Sequence, residues 1–113
     1  MGLQEIPPAW RAAVCAALRR QRVQFTHDAR KRWQRSFPGS WRYDLDQALL
    51  STLSATQVAG CPVTMERPAG ETWEFFFELQ GRKAYGKLLL STDRQTVVVF
   101  SAHRPEKTKL RCE

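Results

Sequence analysis

The chain has 113 residues, of which 18 are Lys or Arg and 11 are Asp or Glu, so its formal net charge is +7 at pH 7. This length suits one domain with a single hydrophobic core. No apolar run approaches the roughly 20 residues that span a bilayer, and the N-terminal MGLQEIPPAW lacks a secretion pattern. We therefore expect a single cytoplasmic domain over residues 1–113, without a membrane partner.

The three cysteines, Cys15, Cys61 and Cys112, lie far apart in the sequence. They form no CxxC pair and no Cys/His cluster with metal-ligand spacing. This pattern predicts a reducing compartment and no metal site. The sequence also lacks the P-loop, GxGxxG, GxSxG and HExxH motifs, so we expect no cofactor.

Three helices are predicted before residue 61. The first covers about residues 8–22, because two prolines suit a helix start and apolar residues then recur at three- and four-residue spacing. The second is the basic segment HDARKRWQRS, with Thr26 as its N-cap. The third is predicted to have Asp44 as its N-cap and to be closed by Gly60.

Basic residues concentrate in this N-terminal half. Eight fall in a short stretch opposed only by Asp28: Arg19, Arg20, Arg22, Arg30, Lys31, Arg32, Arg35 and Arg42. One such arginine is more often part of a solvated helix face, but eight together favour a polyanion-binding surface. Arginine suits phosphate and base stacking better than lysine does, so RNA is the predicted partner. An anionic membrane surface is the alternative, but no amphipathic apolar face accompanies the basic residues. The residues predicted to bind RNA are Arg30, Lys31, Arg32, Arg35, Lys83, Trp33 and Trp41.

After Gly60 the apolar pattern changes to that of strands. CPVTMER, TWEFFFELQ, KAYGKLLL and TVVVFSAH are predicted to form an antiparallel meander, followed by a polar tail over residues 104–113. Gly81-Arg82 is predicted to be a two-residue type II′ hairpin loop. Helices followed by a meander predict an α+β fold, with the helices on one face of a four-stranded antiparallel sheet.

The predicted hairpin assigns side chains to the two faces of the sheet. The apolar face carries Trp73, Phe75, Phe77 and Leu79, opposed by Leu90, Leu88, Gly86 and Ala84. Lys83, Tyr85 and Lys87 then lie on the open face, with Glu78 opposite Tyr85 and Phe76 opposite Lys87. Ordinary polar alternation on an exposed face explains these three residues about as well as a functional site does.

The last strand ends in Ser101-Ala102-His103-Arg104. An odd loop over residues 93–95 sets Lys87 against Ser101 and Tyr85 against His103, with Val98, Phe100 and Ala102 in the core. An even loop instead buries Val97, Val99, Ser101 and His103. We expect the odd loop, because burying Ser101 and His103 unpaired costs about 1–3 kcal/mol each.

These side chains can support RNA cleavage without a metal ion. Histidine exchanges protons near neutral pH, and Lys87 or Arg104 can stabilise the charge on a phosphorane. The residues predicted to be catalytic are His103, Lys87, Tyr85, Ser101, Arg104 and His27. A lone histidine is more often a surface or core residue than a catalyst.

At FTHDARKRW and YGKLLLSTDRQTVVVFSAHRPEK the chain resembles small bacterial ribonuclease toxins related to RelE and MqsR, in the wider group of barnase and the colicin ribonucleases. The resemblance covers roughly residues 25–107. The corresponding residues are Thr26, His27, Arg30, Arg32, Tyr85, Lys87, Ser101 and His103. The resemblance implies metal-independent RNA cleavage and a small acidic antitoxin as protein partner. The first helix has no counterpart in this pattern.

Three functions remain open from the sequence. The first is an endoribonuclease, the toxin of a toxin–antitoxin pair, that cleaves RNA by attack of the ribose 2′-hydroxyl. The second is a non-catalytic RNA-binding module, in which Trp33, Trp41, Tyr85 and Phe76 stack on bases. The third is a protein-interaction domain whose basic surface binds an acidic partner.

Overall fold

A computed structural model describes residues 2–113, with its helices before residue 54 and its long strands after residue 58. The elements in chain order are β1 (Gln4–Glu5), α1 (Pro8–Arg19), β2 (Val23–Phe25), α2 (His27–Ser36), α3 (Arg42–Leu53), β3 (Ala59–Val63), β4 (Gly70–Leu79), β5 (Arg82–Ser91) and β6 (Val97–His103).

The predicted start of α2 is confirmed. Thr26 is its N-cap, and the Thr26 hydroxyl accepts a hydrogen bond from the backbone N–H of Ala29 at 3.0 Å. α1 also begins at Pro8 as predicted, although it ends at Arg19, before the predicted residue 22. α2 also ends at Ser36, the last residue of the predicted segment HDARKRWQRS.

The predicted bounds of α3 are wrong at both ends. The helix begins at Arg42 and ends at Leu53, and Gly60 belongs to β3. Asp44 lies in the first turn, where its carboxylate accepts a hydrogen bond from the backbone N–H of Trp41 at 2.7 Å. It thus stabilises the helix start from inside the helix.

The predicted four-stranded antiparallel meander is wrong, although the combination of helices and a sheet is compatible with the structure. The sheet has six strands in the order β1-β3-β4-β5-β6-β2. β2 pairs with β6 in parallel, so the sheet is mixed, and β1 pairs with β3 in antiparallel fashion. The predicted meander, β3 to β6, forms the centre of this sheet.

The two added strands are too short for sequence periodicity to reveal them. β1 has two residues and β2 has three, whereas alternation of apolar and polar residues needs a longer run to be recognised. β2 also lies directly between α1 and α2, where the pattern is dominated by basic residues. Its three residues nonetheless extend the sheet beyond β6.

The apolar core lies between the sheet and the helices, as predicted. The predicted sheet residues Trp73, Phe75, Phe77, Leu79, Ala84, Leu88 and Leu90 are all buried, together with Trp10, Val14 and Leu18 of α1 and Leu45, Leu49 and Leu53 of α3. Gly86 lies beneath two of the rings. A Cβ atom there would approach Phe77 at 3.2 Å and Phe75 at 3.3 Å. The aromatic layer therefore leaves no easy room for a side chain at this position.

The β4–β5 hairpin loop differs from the prediction by one residue. The loop is Gln80-Gly81, whose φ angles of 53° and 74° are both positive, as in a type I′ turn. Tyr85 consequently faces Phe76, and Lys87 faces Glu74. The facing partners moved by two residues, an even number, so every side chain kept its predicted face of the sheet.

The β5–β6 pairing contains both registers that the sequence allowed. Near the turn, Leu90 faces Val97, so the predicted odd loop is wrong. A β-bulge then shifts the register between Lys87 and Leu88 and leaves Phe100 without a facing residue. Beyond the bulge the predicted pairs Lys87–Ser101 and Tyr85–His103 are present.

The bulge also decides which residues of β6 enter the core. Val97 and Val99 are fully buried there, and Ala102 is 1% exposed. Val98 and Phe100, which were predicted to lie in the core, are only partly buried. In a regular strand Ala102 would lie on the face opposite Val97 and Val99, because odd numbers of residues separate it from them. The bulge places all three on the same face.

The C-terminal segment is not a free tail. Cys112 forms a disulfide with Cys61 of β3, 51 residues earlier, with their Cα atoms 5.9 Å apart. This pairing removes the argument by which the cysteines indicated a reducing compartment. Leu110 is also buried, at 6% exposure. We call residues 104–111 the strap, because they cross the polar face of the sheet from β6 towards β3.

Cys15 is the free cysteine, and it is buried in α1. Burial raises the pKa of its thiol, against the opposing charges of Arg19 and Arg11. No helix within residues 2–113 is long and apolar enough to cross a membrane.

Arg11 joins α1 to the end of α3. Its guanidinium, on a side chain 5% exposed, donates to four carbonyls: those of Ile6 at 3.1 Å, Leu53 at 3.0 Å, Ala55 at 2.6 Å and Thr56 at 3.4 Å. Leu53 is the last residue of α3, so the arginine satisfies a carbonyl that the helix leaves without an internal partner.

Replacing Arg11 by Met keeps an unbranched apolar chain but removes the guanidinium and all four of its hydrogen bonds. We expect Arg11→Met to lower the free energy of unfolding by about 2–4 kcal/mol, because buried carbonyls lose a charged donor. Urea unfolding followed by circular dichroism measures this loss. Arg19→Met, on the exposed end of the same helix, should change it by less than about 0.5 kcal/mol. Equal effects of the two substitutions would contradict this role.

Candidate functional site

A cavity of about 590 Å³ lies between the polar face of the sheet and the strap. Its floor consists of Glu74, Phe76, Tyr85, Lys87, Ser101 and His103, and Arg32 of α2 forms one side. The strap, from Pro105 to Arg111, forms the opposite wall. The face of the sheet that the sequence left open is therefore covered.

Four of the six predicted catalytic residues line this cavity: Tyr85, Lys87, Ser101 and His103. The bulge in β6 brings them together, since it turns Ser101 and His103 towards the side of Lys87 and Tyr85. Arg104 and His27 do not line it. Both are exposed, and the backbone N–H of Arg104 donates to the Ser36 hydroxyl at 3.1 Å.

The predicted RNA-binding residues are divided between the cavity, the surface and the core. Arg32 lines the cavity, whereas Arg30, Lys31, Arg35, Lys83 and Trp41 are exposed outside it. Trp33 is 7% exposed and stacks on Phe25 with ring centroids 5.7 Å apart. Its indole therefore belongs to the core and offers no free face to a base.

Glu74 is the functional residue that the sequence analysis missed. It lies on β4 opposite Lys87 and is only 1% exposed. Its carboxylate accepts hydrogen bonds from the Tyr85 hydroxyl and, at 3.1 Å, from the backbone N–H of Arg111 in the strap. Alternation along TWEFFFELQ does place Glu74 on the same face as Phe76. Nothing in the sequence indicates that Glu74 is buried, because it is the strap that covers this side chain.

The Tyr85 hydroxyl is held in its protonated form. Burial, the hydrogen bond that it donates to Glu74 and the charge of that carboxylate raise the pKa of Tyr85 far above its usual value of 10. The Tyr85 ring lies next to that of His103, with centroids 5.4 Å apart. Tyr85 can therefore donate a hydrogen bond and position its neighbours, but it cannot serve as a base near neutral pH.

His103 is the titratable group that can accept a proton. Burial lowers its pKa below the usual 6.5, the charges of Arg32 and Lys87 lower it further, and Asp28 and a bond to the Arg104 carbonyl act in the opposite direction. His103 Nδ1 lies 2.8 Å from that carbonyl oxygen. In the neutral ring Nδ1 then carries the proton, which leaves Nε2 as the acceptor.

The charged residues that line the cavity are mainly cations: Arg32, Lys87, Lys107, Lys109 and Arg111, against two carboxylates, Glu74 and Glu106. Arg32 forms an ion pair with Glu106, and Arg111 lies 4.0 Å from Glu74. Within residues 2–113 no carboxylate forms an ion pair with the three lysines. The positive charge that remains favours an anionic ligand.

A second cationic surface lies outside the cavity, where α3 begins. Trp41 is 78% exposed and Tyr43 is 69% exposed. Between them in sequence, Arg42 places its guanidinium 4.8 Å from the centre of the Phe25 ring, and Arg30 lies over the same ring at 5.5 Å. Both guanidinium groups thus lie within cation–π distance of Phe25, and that of Arg42 also forms an ion pair with Asp46 at 3.1 Å.

In the part of the chain that the structure describes, residues 2–113, no group of three or more His, Cys, Asp or Glu side chains could hold a metal ion. No protein-family model, curated protein or solved structure matches the chain. The resemblance to ribonuclease toxins therefore stays a prediction, and the site must be interpreted from its own chemistry.

The position of His103 predicts its titration. Because the folded protein disfavours the charged imidazole, the NMR-detected pKa should lie below 6.5, and stability should fall as pH decreases through the pKa of the unfolded chain. Removing a neighbouring cation with Lys87→Met should raise the value. His27→Gln removes the other histidine and identifies the signal. A value at or above 6.5 in the wild-type protein would contradict the geometry.

Proposed function

We propose that the protein is an endoribonuclease that needs no metal ion and whose active site is the cavity under the strap. One observation carries the proposal: His103, with its pKa lowered towards the neutral form, lies beside Lys87, Ser101 and Tyr85 in a cation-lined cavity. A neutral imidazole can accept the proton of a ribose 2′-hydroxyl as that hydroxyl attacks a phosphodiester, and unpaired ammonium groups can stabilise the charge that develops on the phosphate.

In this mechanism the ribose 2′-hydroxyl attacks the adjacent phosphorus. His103 Nε2 accepts the 2′ proton as the new P–O bond forms, and the bond to the 5′-oxygen breaks. Lys87 stabilises the charge on the phosphorane and donates a proton to the departing 5′-oxygen. The products are a 2′,3′-cyclic phosphate and a 5′-hydroxyl.

Glu74 and Tyr85 act as positioning residues in this proposal. Their hydrogen bond joins β4 to β5 directly beside the imidazole, and the backbone N–H of Arg111 holds the other carboxylate oxygen. The Tyr85 ring packs against His103. The pair therefore supports the position of His103 without exchanging protons itself.

Cleavage in the presence of EDTA tests the proposal. We expect the purified protein to cut RNA without divalent metal, to leave 2′,3′-cyclic phosphate ends, and to spare DNA of the same sequence. His103→Gln should lower the rate by about 10²- to 10⁴-fold. Arg67→Ala, on an exposed connection outside the cavity, should leave it unchanged. Loss of activity in EDTA, or equal cleavage of DNA, would count against the mechanism.

A second function, RNA binding without cleavage, is favoured by the surface at the start of α3. Trp41 and Tyr43 are exposed enough to stack on bases. Arg42 lies between them in sequence, and Arg30 shares the Phe25 ring with Arg42. His103, by contrast, is only 5% exposed. RNA that binds but stays uncut would select this alternative.

Both functions predict binding that depends on salt. Arg30→Ala combined with Arg35→Ala should weaken binding to all RNA sequences and reduce the slope of log affinity against log salt by about 1.4 for single strands. Fluorescence anisotropy at several salt concentrations measures this slope. The matched control, Arg67→Ala with Arg82→Ala, removes the same charge from exposed positions elsewhere. An affinity independent of salt would exclude phosphate contacts.

The biological setting is proposed from the sequence resemblance. The protein would be the toxin of a toxin–antitoxin pair, with a small acidic protein as its antitoxin. The net charge of +7 supports an acidic protein partner as well as RNA. Growth arrest on expression, relieved by an acidic protein encoded in a neighbouring reading frame, is the outcome that this setting requires.

A further inference from the structure

We infer that the strap is the phosphate-binding wall of the cavity, that Lys107 and Lys109 are its binding residues, and that the Cys61–Cys112 disulfide keeps them in place. The identification of the ligand as single-stranded RNA rests on the proposed function. The segment that the sequence showed only as a polar tail thus has a binding role.

The strap is fixed to the domain at both ends. At its start, the backbone N–H of Arg104 donates to the Ser36 hydroxyl of α2. At its end, the backbone N–H of Arg111 donates to Glu74, Leu110 is buried, and the next residue, Cys112, is bonded to Cys61. The middle of the strap, residues 106–109, is exposed to solvent.

The length of the strap lets it arch over the sheet. From β6 to β3 there are three strand-to-strand steps of about 4.8 Å, or about 14 Å in total. Residues 104–111 could span more than about 25 Å if fully extended. The excess length leaves space below the strap, and the resulting 590 Å³ lies within the range of roughly 300–1,000 Å³ typical of ligand pockets.

The charges left unpaired in this space lie on two opposite walls. Glu106 is bound by Arg32, and Glu74 is bound by Tyr85 and the Arg111 backbone. Lys107 and Lys109 line the cavity from the strap, and Lys87 lines it from the sheet. A phosphodiester between the walls can therefore contact ammonium groups from both sides.

The disulfide determines whether the strap stays in position as a wall of the cavity. A dithiol reductant would break the Cys61–Cys112 bond, form two thiols and itself become a disulfide, a balanced two-electron exchange. The end of the strap would then depend on Leu110 and on the Arg111–Glu74 hydrogen bond. Lys107 and Lys109 would no longer be confined to the cavity, so reduction should weaken ligand binding.

The test measures binding of a single-stranded hexaribonucleotide to the full chain under oxidising conditions. We expect Lys107→Ala with Lys109→Ala to weaken affinity by roughly 10- to 100-fold, because two charged contacts are lost. Arg67→Ala with Arg82→Ala removes the same charge outside the cavity and should weaken it much less. If the two double variants lose affinity equally, the strap has no specific role, while the proposed function stands.

Inorganic pyrophosphate, followed by NMR, separates the strap from the proposed function. Pyrophosphate should shift the amide signals of Lys107 and Lys109 in the wild-type protein. If it does so while RNA is neither bound nor cut, the phosphate-binding wall is supported and the proposed function fails. If neither pyrophosphate nor RNA moves these signals, the inference is overturned.

A reductant tests the role of the disulfide on the same protein. Affinity for the hexaribonucleotide should fall when the wild-type protein is reduced, and Cys61→Ser with Cys112→Ser should match that lower affinity with or without reductant. Amide signals of β4 and β5 report whether the sheet remains folded in each sample. Unchanged or stronger binding by a folded, reduced protein would refute the role of the disulfide.

Discussion

The β-bulge at Phe100 is the constraint on which the cavity depends. A strand with a strict two-residue period would place Val97, Val99, Ser101 and His103 on one face. The core takes the two valines, and the extra residue then turns Ser101 and His103 to the other face. A single irregularity thus lets one strand both close the apolar core and supply the polar floor of the cavity, beside the strand that carries Tyr85 and Lys87.

Sequence parity predicted the faces of the sheet better than it predicted its pairings. The hairpin loop was predicted at Gly81-Arg82 but lies at Gln80-Gly81, because Gln80 adopts a positive φ that is uncommon for glutamine. The shift changed every facing pair but no face, because it displaced partners by two residues. β1 and β2 escaped prediction for a different reason. Their pairing is set by tertiary contacts, and two or three residues carry no period.

The candidate site was predictable where it depends on alternation and unpredictable where it depends on the strap. Tyr85 and Lys87 follow from strand parity, whereas Ser101 and His103 reach the same face only through the bulge at Phe100. The burial of Glu74 does not follow from parity, because it requires a polar segment without periodicity to fold back across the sheet. Three cysteines allow three different single disulfides, and the sequence contains nothing that selects Cys61–Cys112 among them. The long-range bond, and the wall that it fixes, are properties of the tertiary structure alone.

The strap also explains how a buried carboxylate and a cavity lined by cationic side chains coexist. A carboxylate taken out of water is costly unless hydrogen bonds replace its hydration. Glu74 accepts these hydrogen bonds from the Tyr85 hydroxyl and the Arg111 backbone N–H, so its carboxylate is hydrogen-bonded without using the lysines of the cavity. The same bonds keep Tyr85 protonated, whereas burial shifts His103 towards its neutral form. In the proposed mechanism the residues of the cavity therefore have separate roles: the lysine and arginine side chains supply charge, Tyr85 and Glu74 supply position, and His103 is the proton acceptor.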